Sequence, residues 1–402
     1  MTEKEPLMIH LPASKSISNR VLIVNAIADG KLVPENLADC DDTRIMNEVL
    51  NSSGNCFDVG HAGTAMRFLT AFLSRIVGHW TLTGSPRMLK RPIGPLVEAL
   101  NQSGARIEYL GEPGFPPLRI VGSILMGGEI TVSASMSSQY ISALMMIAPY
   151  MVNGLTIHLE GKVVSRSYIE MTMRVMQDFG IQVDWSSDNI QILPGEYVMP
   201  DAYCIEADWT AASYFYGLYA VSEKTPPLLL AGLSADSIQG DARQIELWRK
   251  LGIISSFVRE GVLLSRQSCR VSDLEYDFSS MPDLVQTFAV ACCLLGIHFN
   301  FSGVETLVIK ETDRLTALAT ELARIGFVVD VSADHTCLSW VGERCPVEDI
   351  PCIRTYGDHR MAMAFSLAQL RVSSLNIHDK EVVSKSFPRF WEEFSRYCSC
   401  FL

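Results

Sequence analysis

Four segments of the chain end in the same way. PLVEALNQSGARIEYL, YIEMTMRVMQDFGIQVDW, ARQIELWRKLGIISSFV and DRLTALATELARIGFVVDV each pass from an amphipathic stretch through a glycine into a short β-like run. Their glycines, Gly104, Gly180, Gly252 and Gly326, are spaced 76, 72 and 74 residues apart. A glycine directly after a helix suits the left-handed residue that ends it. In the fourth segment Leu315, Leu318, Leu322 and Ile325 fall on one helical face, the pattern of a helix packed on a core.

A second helix type alternates with the first. NRVLIVNAIADG, AMRFLTAFLSR, SQYISALMMIAPYM, TAASYFYGLYAV, LVQTFAVACCLL and RMAMAFSLAQL are apolar nearly all round, so they are expected to be buried. A polar cluster precedes each one. Taking Lys15, Gly63, Ser138, Asp208, Asp283 and Asp358 as markers, the steps are 48, 75, 70, 75 and 75 residues. A fixed period of this size defines an architecture before any motif does. It predicts an α/β chain of six like units, grouped as two domains of three. The first unit is short by about 25 residues, the length of a lost hairpin.

The chain has 402 residues, 48% hydrophobic and 19% charged; disorder is excluded, and the length exceeds what one core serves. A formal net charge of -12 with no run of Lys or Arg argues against a nucleic-acid surface. MTEKEPLM lacks the basic and apolar parts of a signal peptide. ISALMMIAPYMV and FAVACCLLGIHF are shorter than the roughly 18–20 residues of a membrane span. The eleven cysteines form no CxxC pair, and Cys292 and Cys293 lie in an apolar run, as reduced core thiols of a cytoplasmic protein do. The CxC of Cys398 and Cys400 offers two ligands, too few to argue for a metal.

If the units are alike, the buried helices of each domain begin on a common surface, where free N–H groups and the helix dipole favour anions. The residues there fit that expectation. LPASKSISNR brings Lys15, Ser16 and Arg20 to the first helix start. Arg91 follows SPRMLK. Ser137, Ser138 and Gln139 open another helix, and Ser165, Arg166 and Tyr168 a further one. KETDR groups Lys310, Glu311 and Arg314; YGDHR groups Asp358, His359 and Arg360; Lys385 lies in SKSFP. Each cluster alone reads equally well as helix caps and solvated charge. Their recurrence at matching places in the units points to anionic ligands.

PASKSISNR, GHAGTAMRF, RPIG, SSQYISAL, SRSYIEMT, MPD, KETDRL, YGDHRMAM and SKSFP together resemble the motifs of the enolpyruvyl transferase family, in the branch of the 5-enolpyruvylshikimate-3-phosphate synthases. They follow the family's order over nearly the whole chain. The resemblance implies a two-domain fold, each domain built of three βαβαββ units, with residues 1–13 and 208–402 in one domain, 14–207 in the other and the active site in the cleft between them. It implies transfer of the enolpyruvyl group of phosphoenolpyruvate to the 5-hydroxyl of shikimate 3-phosphate, with phosphate released, no cofactor or metal, and a monomeric cytoplasmic enzyme.

The family's roles pass to matching positions. Lys15, Asp283 and Glu311 resemble the catalytic groups. Lys15, Ser16, Arg20, Ser137, Ser138, Gln139, Ser165, Tyr168, Asp283 and Lys310 resemble the shikimate 3-phosphate site. Lys15, Gly63, Thr64, Arg91, Gln139, Arg314, Arg360 and Lys385 resemble the phosphoenolpyruvate site. On this reading the cations repel one another until anions arrive, and Arg20→Ala weakens acceptor binding far more than it lowers the melting temperature. His61 and Phe68 depart from the family's usual asparagine and proline, and Thr306 sits where some members have asparagine near the shikimate ring; they bear on inhibitor affinity and loop geometry and leave the reacting groups in place. Two rivals stand beside this reading. A UDP-N-acetylglucosamine enolpyruvyl transferase shares fold and donor, but its usual loop cysteine is missing from TGSPRMLKR. A non-catalytic repeat scaffold explains the period but not the clustered cations.

Overall fold

The computed structural model describes residues 5–30, 32–133, 137–161, 163–222, 226–267, 270–372 and 374–401; the first four residues of MTEKEPLM lie outside them. The chain divides into two compact units, Met1–Ala13 with Glu206–Leu402, and Ser14–Ile205. Strand β1 (Leu7–His10) belongs to the discontinuous unit.

Ser14–Ile205 runs through α1 (Lys15–Ile27), α2 (Asp41–Leu50), β2 (Cys56–Asp58), α3 (Gly63–Arg75), β3 (Gly78–Thr83), α4 (Gly94–Gln102), β4 (Arg106–Tyr109), β5 (Leu118–Gly122), β6 (Gly128–Ser133), α5 (Ser138–Ile147), β7 (Leu155–Glu160), α6 (Arg166–Asp178), β8 (Val183–Ser186) and β9 (Asn189–Ile192). Two four-stranded sheets form, ordered β2-β3-β5-β4 and β6-β7-β9-β8. In each, the first two strands are parallel and a hairpin adds two antiparallel ones. That is one βαβαββ unit per sheet. The first unit keeps its two helices, but its pairing is reduced to a single bridge from Glu35 to Cys204, and α2 leads straight to the next unit's β2. Among the described residues the hairpin expected to be lost is absent there.

Helices α1, α3 and α5 touch one another, and α2, α4 and α6 sit in the gaps between them, closing a ring of six. The split in hydrophobicity explains the arrangement. On α5 every residue except Gln139 is buried, whereas α6 buries only one side.

The discontinuous unit continues from β1 through α7 (Trp209–Val221), β10 (Leu228–Ala231), α8 (Gln244–Lys250), β11 (Ile253–Val258), β12 (Gly261–Arg266), β13 (Asp273–Asp277), α9 (Val285–Leu295), β14 (His298–Ser302), α10 (Arg314–Arg324), β15 (Asp330–Val331), β16 (Cys337–Trp340), β17 (Cys352–Ile353), α11 (His359–Phe365), β18 (Asn376–Ile377) and α12 (Phe390–Phe401). Its sheets repeat the same order, β1-β10-β12-β11 and β13-β14-β16-β15, with β17-β18 as a parallel pair. Among the described residues the last unit therefore also lacks a hairpin; α12 packs on β1. Helix α9 touches both α7 and α11. On α10 Leu315, Leu318 and Leu322 are fully buried, each worth about 1.5–3 kcal/mol. The four repeat glycines have φ of +101°, +82°, +91° and +90°, the left-handed values that side chains resist. The ten described cysteines are all unpaired.

Candidate active site

The marker residues lie where the buried helices begin. In Ser14–Ile205 two groups of side chains meet there. The first surrounds Gly63 and Thr64 at the start of α3. A Cβ on Gly63 would fall 2.6 Å from Arg91 Nη1, so glycine is what lets this guanidinium lie against the first turn of the helix. Gln139 Nε2, from the start of α5, donates to Thr64 Oγ1 at 3.4 Å. Gly63, Thr64, Arg91 and Gln139 are thus brought together. His61 is placed just before this turn, its Nδ1 3.0 Å from Ser85 Oγ.

The second group joins α1, α5 and α6. Ser14 caps α1 and Ser137 caps α5 through their hydroxyls; Ser165 precedes α6 at φ +53°. Arg20 lies beneath them and is only 2% exposed. Its Nε donates to Thr172 Oγ1 at 2.7 Å, Nη1 to the Ser16 carbonyl at 2.8 Å, and Nη2 to Ser142 Oγ at 3.2 Å and the Tyr168 carbonyl at 3.1 Å. The Phe68 ring lies under the guanidinium, 5.4 Å from Arg20 Cζ to its centroid. Ser16, Arg20, Tyr168 and the Ser165 turn are therefore one assembly, in which the carbonyls of Ser16 and Tyr168 are tied to Arg20. Lys15, at the first position of α1, forms a 3.1 Å ion pair with Asp42, which is 4% exposed.

The discontinuous unit carries a chain of alternating charge. Arg360 Nη2 meets Asp283 Oδ2 at 2.8 Å; Arg314 Nη1 meets Asp283 Oδ1 at 2.9 Å and Nη2 meets Glu311 Oε2 at 2.9 Å; Lys385 Nζ meets Glu311 Oε1 at 2.6 Å. Asp358 anchors the chain from below. One edge of its carboxylate takes Arg314 Nε at 2.7 Å, and Oδ1 accepts from the Arg360 backbone N–H at 2.9 Å as the cap of α11. Lys310 stands next to Glu311, half-buried, ahead of the Asp313 cap of α10. The expected mutual repulsion of cations is thus opposed here, because Arg314, Arg360 and Lys385 are each paired with a carboxylate.

Burial works against the charge of Arg314, yet Asp358, Glu311 and Asp283 outweigh it and hold the guanidinium above its ordinary value. Burial pushes the Tyr214 phenol, 3.4 Å from Arg360 Nη1, up to about 12. Asp241, buried in the turn Gly240–Arg243, is pushed up to about 7 by burial, with the Thr210 hydroxyl 2.5 Å away opposing the shift and the charge of Asp283 adding to it.

Several members and pairings escaped the sequence reading. Asp42, the partner of Lys15 27 residues away, was missed; Asp358 was marked in YGDHR, but its pairing with Arg314, 44 residues away, was not, and only folding makes both pairs. Arg67, within GHAGTAMRF, donates to the carbonyls of Gly63 and Pro92 at 3.1 Å each, bracing both sides of Arg91. Its buried position in an apolar helix was the available signal. Asp241 had none.

Chemically, the two sets offer what phosphorylated carboxylic acids need: several guanidinium and ammonium donors, helix N-termini, and carboxylates able to move protons. The family model of EPSP synthase (3-phosphoshikimate 1-carboxyvinyltransferase) matches residues 7–55 and 51–394. The 3-phosphoshikimate 1-carboxyvinyltransferase of Bacteroides fragilis is 47% identical, over 96% of this chain and 94% of that one; that of Vibrio cholerae is 36% identical, over 96% of each. Solved structures of EPSP synthase from Acinetobacter baumannii share the fold, with TM-scores of 0.75 and 0.76 at 21% and 20% identity, covering 97% of this chain and 95% and 96% of theirs. With the repeat, the motifs and these matches in agreement, the chain belongs to the EPSP synthase family.

Proposed function

We propose that the chain transfers the enolpyruvyl group of phosphoenolpyruvate to the 5-hydroxyl of shikimate 3-phosphate and releases phosphate. The observation that carries this reading, beside family membership, is Glu311 held between Lys385 and Arg314 in the same charge chain as Asp283. Arg91, Arg314, Arg360 and Lys385, with the Gly63–Thr64 turn, would hold the donor. Ser16, Arg20, Ser137, Ser138, Gln139, Ser165, Tyr168 and Lys310 would form or support the acceptor site. Lys15 would touch both substrates.

The reaction then runs as follows. The phosphate and carboxylate of phosphoenolpyruvate compete with Glu311 for Lys385 and Arg314. Losing those cations favours the protonated form of Glu311, which gives its proton to carbon 3. The acceptor hydroxyl attacks carbon 2, and its proton passes to Asp283, directly or through Lys15. The tetrahedral intermediate expels phosphate while Glu311 takes back a methyl proton, restoring the double bond. The cations stabilise charge as it develops on the phosphate.

The same reading treats the chain as a monomer of the cytoplasm that needs no metal or organic cofactor, and assigns the crossovers between domains to the neighbourhood of Ala13–Ser14 and Glu206–Asp208. Among the described residues no helix is long and apolar enough to cross a membrane. Phosphate release from phosphoenolpyruvate, measured with shikimate 3-phosphate and then UDP-N-acetylglucosamine, tests the proposal. Release with the first acceptor only is the expected result. Release with the second only, or with neither, overturns it.

A further inference from the structure

The loop Arg354–Asp358 enters α11 through two consecutive left-handed residues, Tyr356 at φ +55° and Gly357 at φ +69°. Glycine adopts that conformation freely; a tyrosine does so only where its surroundings hold it. What holds it is Glu321, a carboxylate with no exposed surface on α10. Its Oε1 accepts from Tyr356 Oη at 2.6 Å, and its Oε2 accepts from the Arg354 backbone N–H at 3.0 Å. Arg324 Nε lies 3.1 Å from Oε2 and supplies a countercharge. The ring of Tyr356 is not the anchor: the residue is 41% exposed, so the constraint comes through its hydroxyl.

The other end of this loop is gripped by the same helix. Asp358 binds Arg314, the first residue of α10, and caps α11 at Arg360. Glu321 is seven residues along, about two turns from Arg314. One helix thus clamps the loop at both ends, once at the charge chain and once at a buried carboxylate whose polar partners are Arg354, Tyr356 and Arg324.

We propose that Glu321 and Tyr356 are positioning residues for the donor site. Their hydrogen bond fixes the loop so that Asp358 meets Arg314 edge-on and sets Arg360 toward Asp283. The inference rests on the reading that Arg314 and Arg360 bind phosphoenolpyruvate.

The test compares Tyr356→Phe, which removes one hydroxyl and keeps the ring, with Glu321→Gln, the double variant and Arg314→Lys. The KM for phosphoenolpyruvate, kcat, the Kd for shikimate 3-phosphate and the melting temperature are measured for each. Loss of a hydrogen bond to a buried charge predicts a donor KM raised roughly ten-fold in Tyr356→Phe, with kcat and the acceptor Kd changed less than about two-fold. The double variant should be no worse than the poorer single one, as coupled residues require. A donor KM unchanged in a folded Tyr356→Phe, or a lowered melting temperature with both substrates bound normally, overturns the inference. If Glu321→Gln does not fold, Tyr356→Phe decides alone. Arg314→Lys separates the two levels: a raised donor KM there with none in Tyr356→Phe sinks only this proposal, and no change in either sinks the site reading as well.

Discussion

Arg20 and Arg314 are both buried arginines at the heart of a candidate substrate site, and their surroundings are opposite. Arg314 is packed among three carboxylates and is held above its ordinary pKa. Arg20 is packed among hydroxyls and carbonyls, and burial lowers it to about 10. One unit balances its cations in advance; the other keeps a buried cation surrounded by neutral acceptors. On the proposed function, a phosphorylated ligand would meet different work in the two places. Around Arg314 it must displace or share carboxylates, so binding there is tied to proton movement. Around Arg20 it meets a hydrogen-bonded frame of fixed charge, suited to recognition.

The largest effect expected from this contrast is on turnover. Glu311→Gln keeps size, gives up one of the two acceptor oxygens that meet Lys385 and Arg314 and removes the acid, and should lower turnover by roughly 10²–10⁴-fold. Shikimate 3-phosphate binding should barely change. Phosphate release and solvent deuterium exchange into the methylene of phosphoenolpyruvate measure it. A variant that melts early yet turns over normally would remove Glu311 from the chemistry.

Asp241 sharpens the ionic side. Its folded value of about 7 lies above the unfolded value near 3.8. The folded chain therefore retains a proton that the unfolded chain gives up. This contribution to stability is fully present below about pH 4 and is lost as pH rises to about 7, by at most about 4 kcal/mol. Asp241→Asn should remove that slope, and urea unfolding from pH 4 to 8 reads it. Parallel pH profiles for the two proteins would show that Asp241 ionises normally.

Arg20→Ala tests the neutral side, and here the structure changes the expectation drawn from sequence. Removing a guanidinium that serves Thr172, Ser142 and two carbonyls should cost about 2–4 kcal/mol of stability, beside any loss of acceptor binding. Calorimetry with and without shikimate 3-phosphate separates the two. A melting temperature within error of the parent would return Arg20 to a purely ligand-binding role. The smallest effect belongs to Phe68→Leu, which removes a ring contact worth about 0.5–2 kcal/mol and should lower the melting temperature slightly while leaving the KM for phosphoenolpyruvate unchanged.

The repeat was legible because it is written in local pattern. Gly104, Gly180, Gly252 and Gly326 stop their helices in the predicted conformation, and the marker residues open or precede the buried helices as predicted. The cations were legible by residue type and recurrence. Their partners were not: nothing near LPASKSISNR announces Asp42, and YGDHR does not say that its aspartate serves an arginine 44 residues earlier. Nor did polarity show that Arg20 is a buried strut, since a charged residue at a helix start reads as exposed until Thr172 and Ser142 are packed around it.

Strand β1 pairs in parallel with β10, joining Leu7–His10 to Leu228–Ala231. On a ribosome this strand emerges before its partner, which follows about 220 residues later. At about 5–20 residues per second the wait is roughly 10–45 s. Ser14–Ile205 can condense in that interval, whereas β1 must stay unpaired, with Leu7 and Ile9 available to whatever binds nascent apolar segments. The order of synthesis thus makes the unit built from Glu206–Leu402 depend on a strand made well before the rest of it.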